Sequence, residues 1–323
     1  MPAARRRWAR AKVLAGAALF LAAGWLAFGP IATRKAVLEA VLRVGLAGMG
    51  GACALTIANL SLRFVRWRMF LRVLGHRLDL LQDLKLYLAG FAFTLTPGNA
   101  GEAVRTVFLH RHGVPYADGL AAVFSERISD LAALTGLAIA GALTIPALRI
   151  PGLAALCACV GTAALLRRAP ASAAALLRRA RGRGRIGTTL RHALRMLRQA
   201  RRCHGREVRV PSLLLGMAAW LAECAAFAWI LWALGCAAPA GFSVFAYAGA
   251  ILAGAASVVP GGLGGMEATI VALLMWRGMD APTAMASTVL IRLATLWLTV
   301  AIGVLSLAIP NRPEGKGRIG SSR

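Results

Sequence analysis

Several charged side chains stand inside stretches of sequence that are otherwise apolar and long enough to cross a bilayer. They are Glu102, Arg105, Glu126, Arg127, Asp130, Glu223, Glu267 and Arg292. A charge at the bilayer centre costs roughly 2.5–3.5 kcal/mol even on the mildest scale, so such residues pair with one another or face a water-filled cavity. We therefore predict that these residues surround a polar substrate site within the membrane.

The spacing of the charges predicts two ion pairs. Glu102 precedes Arg127 by 25 residues, and Glu267 precedes Arg292 by the same 25 residues. Each glutamate directly follows a glycine-rich break, and each arginine lies about a third of the way into the next apolar stretch. We expect Glu102 to pair with Arg127 and Glu267 to pair with Arg292.

The other acids leave alternatives open. Glu126 and Asp130 are four residues apart, so they share one face of a helix. Two like acids on one face indicate either a neighbouring cation or a carboxyl group that keeps its proton. Glu223 has no evident partner in the sequence and could be a proton-coupling group or a neutral, hydrogen-bonded side chain.

These charges have a structural and a functional interpretation. They could simply pin helical hairpins to neighbouring helices. Alternatively, Arg127 and Arg292 receive an anionic head group, assisted by the helix N-termini that follow Gly101 and Gly265. Glu102 and Glu267 lie in those first helical turns, where an acid is also an ordinary cap.

Two related segments interrupt the apolar stretches that carry the charges. "TPGNAGEAVR" at 96–105 and "VPGGLGGMEAT" at 259–269 both place Pro-Gly and further glycines before Glu-Ala. The breaks are Pro97, Gly98 and Gly101 in the first copy and Pro260, Gly261 and Gly262 in the second. Irregular backbone is tolerated at membrane depth only when protein or a water-filled cavity surrounds it. The segments therefore predict two re-entrant helical hairpins.

The composition indicates a membrane protein. The chain is 59% hydrophobic with a net charge of +26, and its apolar runs reach the length of roughly 17–25 residues that spans a bilayer. The arginines cluster between apolar runs, as expected of cytoplasmic loops, so we expect no nucleic-acid binding. The six cysteines show no metal or disulfide spacing, and we expect neither metal nor cofactor.

We predict an all-α polytopic membrane protein with about six transmembrane helices and two re-entrant hairpins. Residues 1–323 form one membrane domain, in which repeat 1 (about 44–166) and repeat 2 (about 211–309) flank a basic cytoplasmic loop at 167–209. The charge pattern opens the hairpins on opposite sides, which makes the repeats inverted. Both termini are expected in the cytoplasm at a bacterial inner membrane.

Two basic segments have further interpretations. Arg63, Arg66 and Arg68 end the second predicted span, either as a topological anchor with Trp67 at the interface or in contact with anionic head groups. Residues 190–202 alternate apolar and arginine residues at helical spacing, which predicts an amphipathic helix on the inner leaflet. That helix either recruits anionic lipid or only helps to fix the orientation of the protein across the membrane. The first predicted span is Val13–Gly29.

The ordered segments "YLAGFAFTLTPGNAGEAVR", "AAVFSERISDL" and "PGGLGGMEA", followed by a late intramembrane arginine, resemble the flippase-like membrane domain of the lysylphosphatidylglycerol synthases and its stand-alone relatives. The resemblance covers about residues 14–309. It implies movement of phospholipid or lipid-linked molecules between leaflets. It also implies cavity roles for Glu102, Arg105, Glu126, Arg127, Asp130, Glu267 and Arg292. The synthases carry an additional aminoacyltransferase domain, for which we expect no counterpart here.

We therefore expect a lipid flippase whose substrate carries an anionic head group, with a homo-oligomer or lipid-synthesis proteins as potential partners. We expect no enzymatic activity, because no metal-binding or nucleotide-binding motif occurs. The first alternative is a glycosyl or other group transferase acting on a lipid carrier, for which Glu126 and Asp130 are the suited acids. The second alternative is an accessory subunit of a lipid-synthesis complex.

Overall fold

The computed structural model describes residues 31–95, 103–168, 195–236, 238–257 and 259–309. These parts of the chain are helical and contain no strand. Several predicted features lie outside the described residues, namely the first span Val13–Gly29, the break residues Pro97, Gly98 and Gly101, Glu102, and most of the basic loop.

Eleven helices are defined within the described ranges. They are α1 (Ile31–Val73), α2 (Leu80–Gly90), α3 (Val104–His110), α4 (Tyr116–Leu143), α5 (Arg149–Arg168), α6 (195–203), α7 (Arg206–Ala233), α8 (Ala240–Ala256), α9 (Gly265–Trp276), α10 (Ala281–Arg292) and α11 (Leu298–Ala308). A π-helical turn at Leu293–Trp297 joins α10 directly to α11.

Three described segments are long and apolar enough to cross a membrane: Lys35–Val73, Arg206–Ala233 and Ala281–Ala308. Helix α4 has 28 residues and is about 42 Å long, which exceeds the roughly 30 Å hydrocarbon core, although it contains several charges. The predicted class, an all-α membrane protein, is confirmed. The count of about six spans stays a prediction.

The second predicted break interrupts a helix pair, and the residues on either side of the first break are also helical. Helix α2 and the short helical turn at Phe91–Phe93 lead towards the first break, and α3 follows it. In the second hairpin, Gly261, Gly262 and Gly264 have φ angles of 64°, 66° and 84°, a left-handed conformation that glycine adopts without steric cost. Glu267 then accepts a hydrogen bond of 2.7 Å from the Gly264 backbone N–H, which caps α9.

The ends of the two hairpins meet inside the bundle. A Cβ atom placed on Gly261 would lie 2.9 Å from Cδ2 of Leu95, so the turn of the second hairpin packs against the last described residue before the first break. The φ angle of 64° at Gly261 favours glycine at this turn. Any movement of one hairpin end must be accommodated by the other.

The two halves of the chain pack reciprocally. Helices α1 and α7 run antiparallel, with Asn59 donating to the Ala219 carbonyl over 2.8 Å and Trp229 donating to the Gly48 carbonyl over 3.1 Å. Helix α8 of the second hairpin packs on α4, while α2 of the first hairpin packs on α11. Each hairpin thus packs on the helix that follows the other hairpin. An inverted repeat would produce this arrangement, although the predicted repeat boundaries stay a prediction.

One end of the bundle gathers the loops that are rich in arginine, and we call it the basic end. Asp118 at the start of α4 lies 2.7 Å from His76 Nε2 and accepts a hydrogen bond of 2.8 Å from Gln199 of α6. Arg202 of α6 donates to the Val73 carbonyl over 3.1 Å. The described part of the predicted amphipathic helix therefore packs across the basic end of the protein.

The interpretation of the basic stretch after Leu62 was wrong. Beyond a kink at Gly45, helix α1 continues to Val73, and Arg63, Arg66 and Trp67 are only 6%, 0% and 1% exposed. Arg63 and Arg66 turn inward to carboxylates of α4, and the Trp67 indole donates to Asp83 of α2 over 3.0 Å. Arg68 is the partly exposed arginine of the three.

The crossing of α4 and α8 provides a test of the packing. A Cβ atom on Gly141 would lie 2.6 Å from both the Gly241 carbonyl oxygen and the Phe245 backbone nitrogen. Since both neighbours are backbone atoms, the helices would have to separate. We expect Gly141→Ala to destabilise the protein by about 1–3 kcal/mol, measured as a lower midpoint when the detergent-solubilised protein is heated.

Gly136→Ala is the matched control for this prediction. Gly136 lies on the same helix, and a Cβ atom there would meet nothing within 4 Å. We expect its midpoint to stay at or above that of the wild type, because alanine favours the helix. Equal midpoints for the two variants would contradict the close approach of α4 and α8.

Candidate functional site

Six charged residues from three helices form a buried group that we call the arginine–carboxylate cluster. Helix α1 contributes Arg63 and Arg66, α3 contributes Arg105, and α4 contributes Glu126, Arg127 and Asp130. Arg63 and Arg66 are three residues apart, so one face of α1 presents both guanidinium groups to α4.

Glu126 is completely enclosed by donors. One carboxylate oxygen accepts from Arg63 Nη2 over 3.3 Å and from the Tyr87 hydroxyl over 2.9 Å. The other oxygen accepts from Arg105 Nη1 over 3.0 Å, and the side chain is 0% exposed. A buried carboxylate with this many donors is paired and hydrogen-bonded, which offsets the cost of removing it from water.

Asp130 lies one helical turn further along α4. Its Oδ1 accepts hydrogen bonds from Arg66 Nη2 and, over 3.0 Å, from the Trp220 indole N–H. Its Oδ2 lies 3.5 Å from nitrogens of both Arg63 and Arg127. Asp130 thereby connects α1 and α4 of the first half to α7 of the second half.

Aromatic rings and glycines line the space that the buried arginines occupy. The guanidinium of Arg105 lies 4.3 Å from the ring centre of Tyr87 and 4.4 Å from that of Phe91, a cation–π arrangement. A Cβ atom on Gly90 would overlap the side chain of Arg105. Likewise, a Cβ atom on Gly216 would lie 2.6 Å from Arg66 Nη1.

A cavity of about 290 Å³ lies beside the cluster, where the two hairpins meet. The first half of the chain lines it with Arg63, Phe91, Thr94, Arg127, Asp130, Leu131 and Leu134, and the second half with Trp220, Glu223, Tyr247, Val259, Gly261, Gly262, Met266, Arg292 and Thr295, among others. Both halves therefore contribute cations and acids to one central space.

Arg292 is held at the cavity by the second hairpin. Its Nε lies 2.5 Å from Glu267 Oε1, so the predicted pair is present, and its Nη2 donates to the Gly261 carbonyl over 2.8 Å. The π-helical turn begins at the next residue, and such turns occur frequently at functional sites. The break, its glutamate and the arginine thus form one unit.

Glu223 reaches the cavity from α7. It is 7% exposed and accepts a hydrogen bond of 2.8 Å from the Tyr247 hydroxyl. Within the described parts of the chain, no lysine, arginine or histidine nitrogen lies within the 4.0 Å of a salt bridge to it. The predicted hydrogen-bonded state is therefore what the structure contains, while a role in proton coupling stays a prediction.

The structure separates the predicted site residues into two groups. Those that line the cavity are Arg127, Asp130, Glu223, Arg292, Gly261 and Gly262. Arg105 and Glu126 have side chains that are 0% exposed and lie behind the cavity wall, whereas Arg127 keeps 32% of its side chain exposed. Glu267 acts on the cavity through Arg292, and Pro260 begins the turn.

The predicted Glu102–Arg127 pair falls partly outside the described residues, because Glu102 does. Arg127 itself lies 3.5 Å from Asp130 on the same helix. Sequence reasoning missed Arg63, Arg66, Tyr87, Trp220 and Tyr247 as site residues. The three-residue spacing of Arg63 and Arg66 inside a continuous helix was the signal that could have identified them.

The described residues contain no group of three or more His, Cys, Asp or Glu side chains arranged to hold a metal ion. The carboxylates near the cavity are instead matched by arginine, tyrosine or tryptophan donors. The described site is therefore built from protein cations and their partners.

The fold and the cavity define the protein as a multi-pass α-helical membrane protein with a charged site between two broken helical hairpins. More specifically, the chain belongs to the family described as the lysylphosphatidylglycerol synthase TM region, whose model matches residues 13–303. The match includes nearly all of the chain, and it confirms the resemblance seen in the sequence.

Part of the chain is also similar to a curated protein that is named as a glycosyltransferase. The glycosyltransferase AglD of Haloferax volcanii is 34% identical over 97 residues, a match covering 28% of this chain. The matched part spans 15% of that protein's length. The family and this partial relative together support a membrane-associated, lipid-related function.

Glu126 and Arg127 are neighbours on α4, but Glu126 is fully buried and Arg127 is partly exposed. This difference predicts different effects on stability. Glu126→Gln would leave Arg63 and Arg105 without their shared counter-charge, and breaking a buried pair in this way costs about 3–5 kcal/mol. We expect a large drop in the thermal midpoint in detergent. Arg127→Gln is the control, because this partly exposed arginine should cost about 1 kcal/mol or less. Similar losses for both variants would contradict the structural role of Glu126.

Proposed function

We propose that the protein moves a lipid with an anionic head group between the two leaflets of its membrane, a bacterial inner membrane with both termini in the cytoplasm. The observation that carries this proposal is the central cavity, to which the two halves of the chain contribute Arg127 and Arg292 at the meeting point of the hairpins. Such a site at the interface of two opposed halves is typical of secondary transporters.

The cavity charges favour an anion. Arg63, Arg127 and Arg292 face the same space as Asp130 and Glu223. The planar guanidinium group binds phosphate through two parallel hydrogen bonds. Asp130 is paired with three arginines and accepts a hydrogen bond from Trp220, whereas 32% of the Arg127 side chain is exposed.

The cavity margin favours an amphiphile over a soluble anion. Leu131 and Val259 line the cavity and are 49% and 43% exposed. Along α4, Leu120, Phe124 and Ile128 are also between 37% and 41% exposed, and in a membrane this face borders lipid. A head group bound at Arg127 could therefore keep its acyl chains against the apolar face of α4.

The arrangement of the hairpins is suited to alternating exposure of the cavity. The hairpins pack reciprocally on the two halves, and their ends touch at Leu95 and Gly261. Rocking one half against the other around a central site is the common mechanism in proteins built from inverted repeats. We propose this motion for the present protein.

The main rival is a group transferase acting on a lipid carrier, and the partial similarity to a glycosyltransferase is the observation that favours it. A transferase needs an accessible acid as base or metal ligand. Glu126 is fully enclosed by Arg63, Arg105 and Tyr87, and Asp130 is bound by arginines and Trp220. These contacts weigh against Glu126 and Asp130 as the acids of a transferase.

Transport is tested with purified protein in liposomes that contain a fluorescent phosphatidylglycerol. A membrane-impermeant reductant bleaches the fluorophores of the accessible leaflet in a fast phase. The slow phase of the fluorescence loss then reports translocation of lipid from the other leaflet. We expect Arg127→Gln combined with Arg292→Gln to reduce the protein-dependent rate at least tenfold, because the anion loses both charged ligands. Each variant must elute as the same monodisperse species as the wild type.

Arg277→Gln is the matched control, since Arg277 is exposed and lies beside Phe242, 5.3 Å from the ring centre and away from the cavity. Its translocation rate should equal that of the wild type. An unchanged rate in a folded double variant would overturn head-group binding by Arg127 and Arg292. Glycosyl transfer from a nucleotide sugar to a lipid acceptor would favour the transferase, and co-purification with lipid-synthesis enzymes without translocation would favour the accessory subunit.

A further inference from the structure

A second groove lies on the outside of the bundle, separate from the central cavity. Helices α1, α2 and α11 form its walls, and its volume is about 580 Å³. The lining is almost entirely aliphatic or aromatic, with Leu60, Phe64, Leu84 and Leu88 among its residues. It shares none of its described lining residues with the central cavity.

The charges of the groove are confined to one end. Arg68 and Arg72 line it near the basic end, and Ser61 is its uncharged polar residue. Arg68 is partly neutralised, because its Nε lies 3.5 Å from Asp83 and its Nη2 donates to the Leu78 carbonyl. Arg72 is exposed and forms no salt bridge within the described residues. Asp83 also attracts Arg72 electrostatically, so the two arginines share this one acid and the basic end of the groove keeps a net positive charge.

The length of the groove corresponds to one leaflet. Ile57 and Arg72 mark its extent along α1, and their separation of fifteen positions corresponds to a rise of about 22 Å in a helix. One leaflet including its head-group region is about 20–22 Å thick. A molecule bound here would thus extend from the head-group region at Arg72 to about the membrane centre.

The rim of the groove faces the surrounding membrane. Ile57, Val65 and Leu80 are 51%, 53% and 52% exposed, so lipid chains have lateral access. We call the part of the groove that is farther from the basic end the deep part. Its polar side chain is that of Ser61, which is exposed and whose Oγ donates to the Ile57 carbonyl over 2.8 Å. The deep part thus suits a hydrocarbon chain rather than a peptide, whose backbone would require hydrogen-bond partners there.

We propose that this groove binds an anionic phospholipid of the leaflet at the basic end, with its phosphate at Arg72 and Arg68 and one acyl chain against Leu84 and Leu88. Basic residues that flank apolar surfaces at a membrane interface attract acidic head groups. This site is distinct from the transport cavity, and the proposal holds whether or not the protein transports lipid.

The experiment uses the full-length protein in nanodiscs with equal amounts of phosphatidylglycerol and phosphatidylcholine, one of which carries a photoactivatable group in its acyl chain. After irradiation, peptides of α1 and α2 are quantified by mass spectrometry. We expect phosphatidylglycerol to label these peptides more strongly than phosphatidylcholine. Arg72→Gln should reduce that preference about fivefold, because it removes one basic residue at the surface.

Arg77→Gln is the matched control, since Arg77 is an exposed arginine at the same end and does not line the groove. Its labelling preference should equal that of the wild type. Ser61→Trp should fill the deep part and reduce labelling by both lipids at Leu84 and Leu88. Equal labelling by the two lipids, or the same loss in Arg77→Gln, would overturn the proposal and indicate unselective annular lipid. Crosslinking of α1 to another protein segment would also overturn it.

Discussion

The structure depends on the neutralisation of two carboxylates buried in α4. Glu126 and Asp130 are held by arginines from α1 and α3, by Tyr87 of the first hairpin and by Trp220 of α7. Removing charges from water is costly unless they are paired and fully hydrogen-bonded. The two acids therefore fix how these helices are placed around them, and the central cavity takes its position from that arrangement.

The two halves meet this constraint differently. The first half places four arginines around two enclosed acids, whereas the second half holds Arg292 with Glu267 and a backbone carbonyl beside a π-helical turn. Glu267 is also 22% exposed, so its pair is weaker than one that is fully buried. Fewer charged contacts therefore hold the second hairpin in place than hold α1, α3 and α4 together.

The sequence predicted local features better than distant ones. Proline and glycine identified the second break, because the left-handed conformation favours glycine locally. The repeated 25-residue spacing correctly predicted the Glu267–Arg292 pair, whereas the first break lies outside the described residues. The sequence pattern placed Arg63 and Arg66 at the membrane surface, because arginine after an apolar run normally marks a loop. Their partner Glu126 is 63 residues away from Arg63. The burial of Arg105 likewise depends on its packing against Tyr87 and Phe91, and a local sequence pattern does not reveal this packing.

Helix α2 separates the central cavity from the outer groove. Its continuation places Phe91 and Thr94 at the cavity, whereas Leu84 and Leu88 line the groove. On the other side of this wall, α11 presents Thr299 to the cavity and Ile302 to the groove. A Cβ atom on Gly303 would overlap the backbone of Ala92, so the two walls touch directly. The close packing of α11 on the turn at Phe91–Phe93 therefore keeps the central cavity and the outer groove apart.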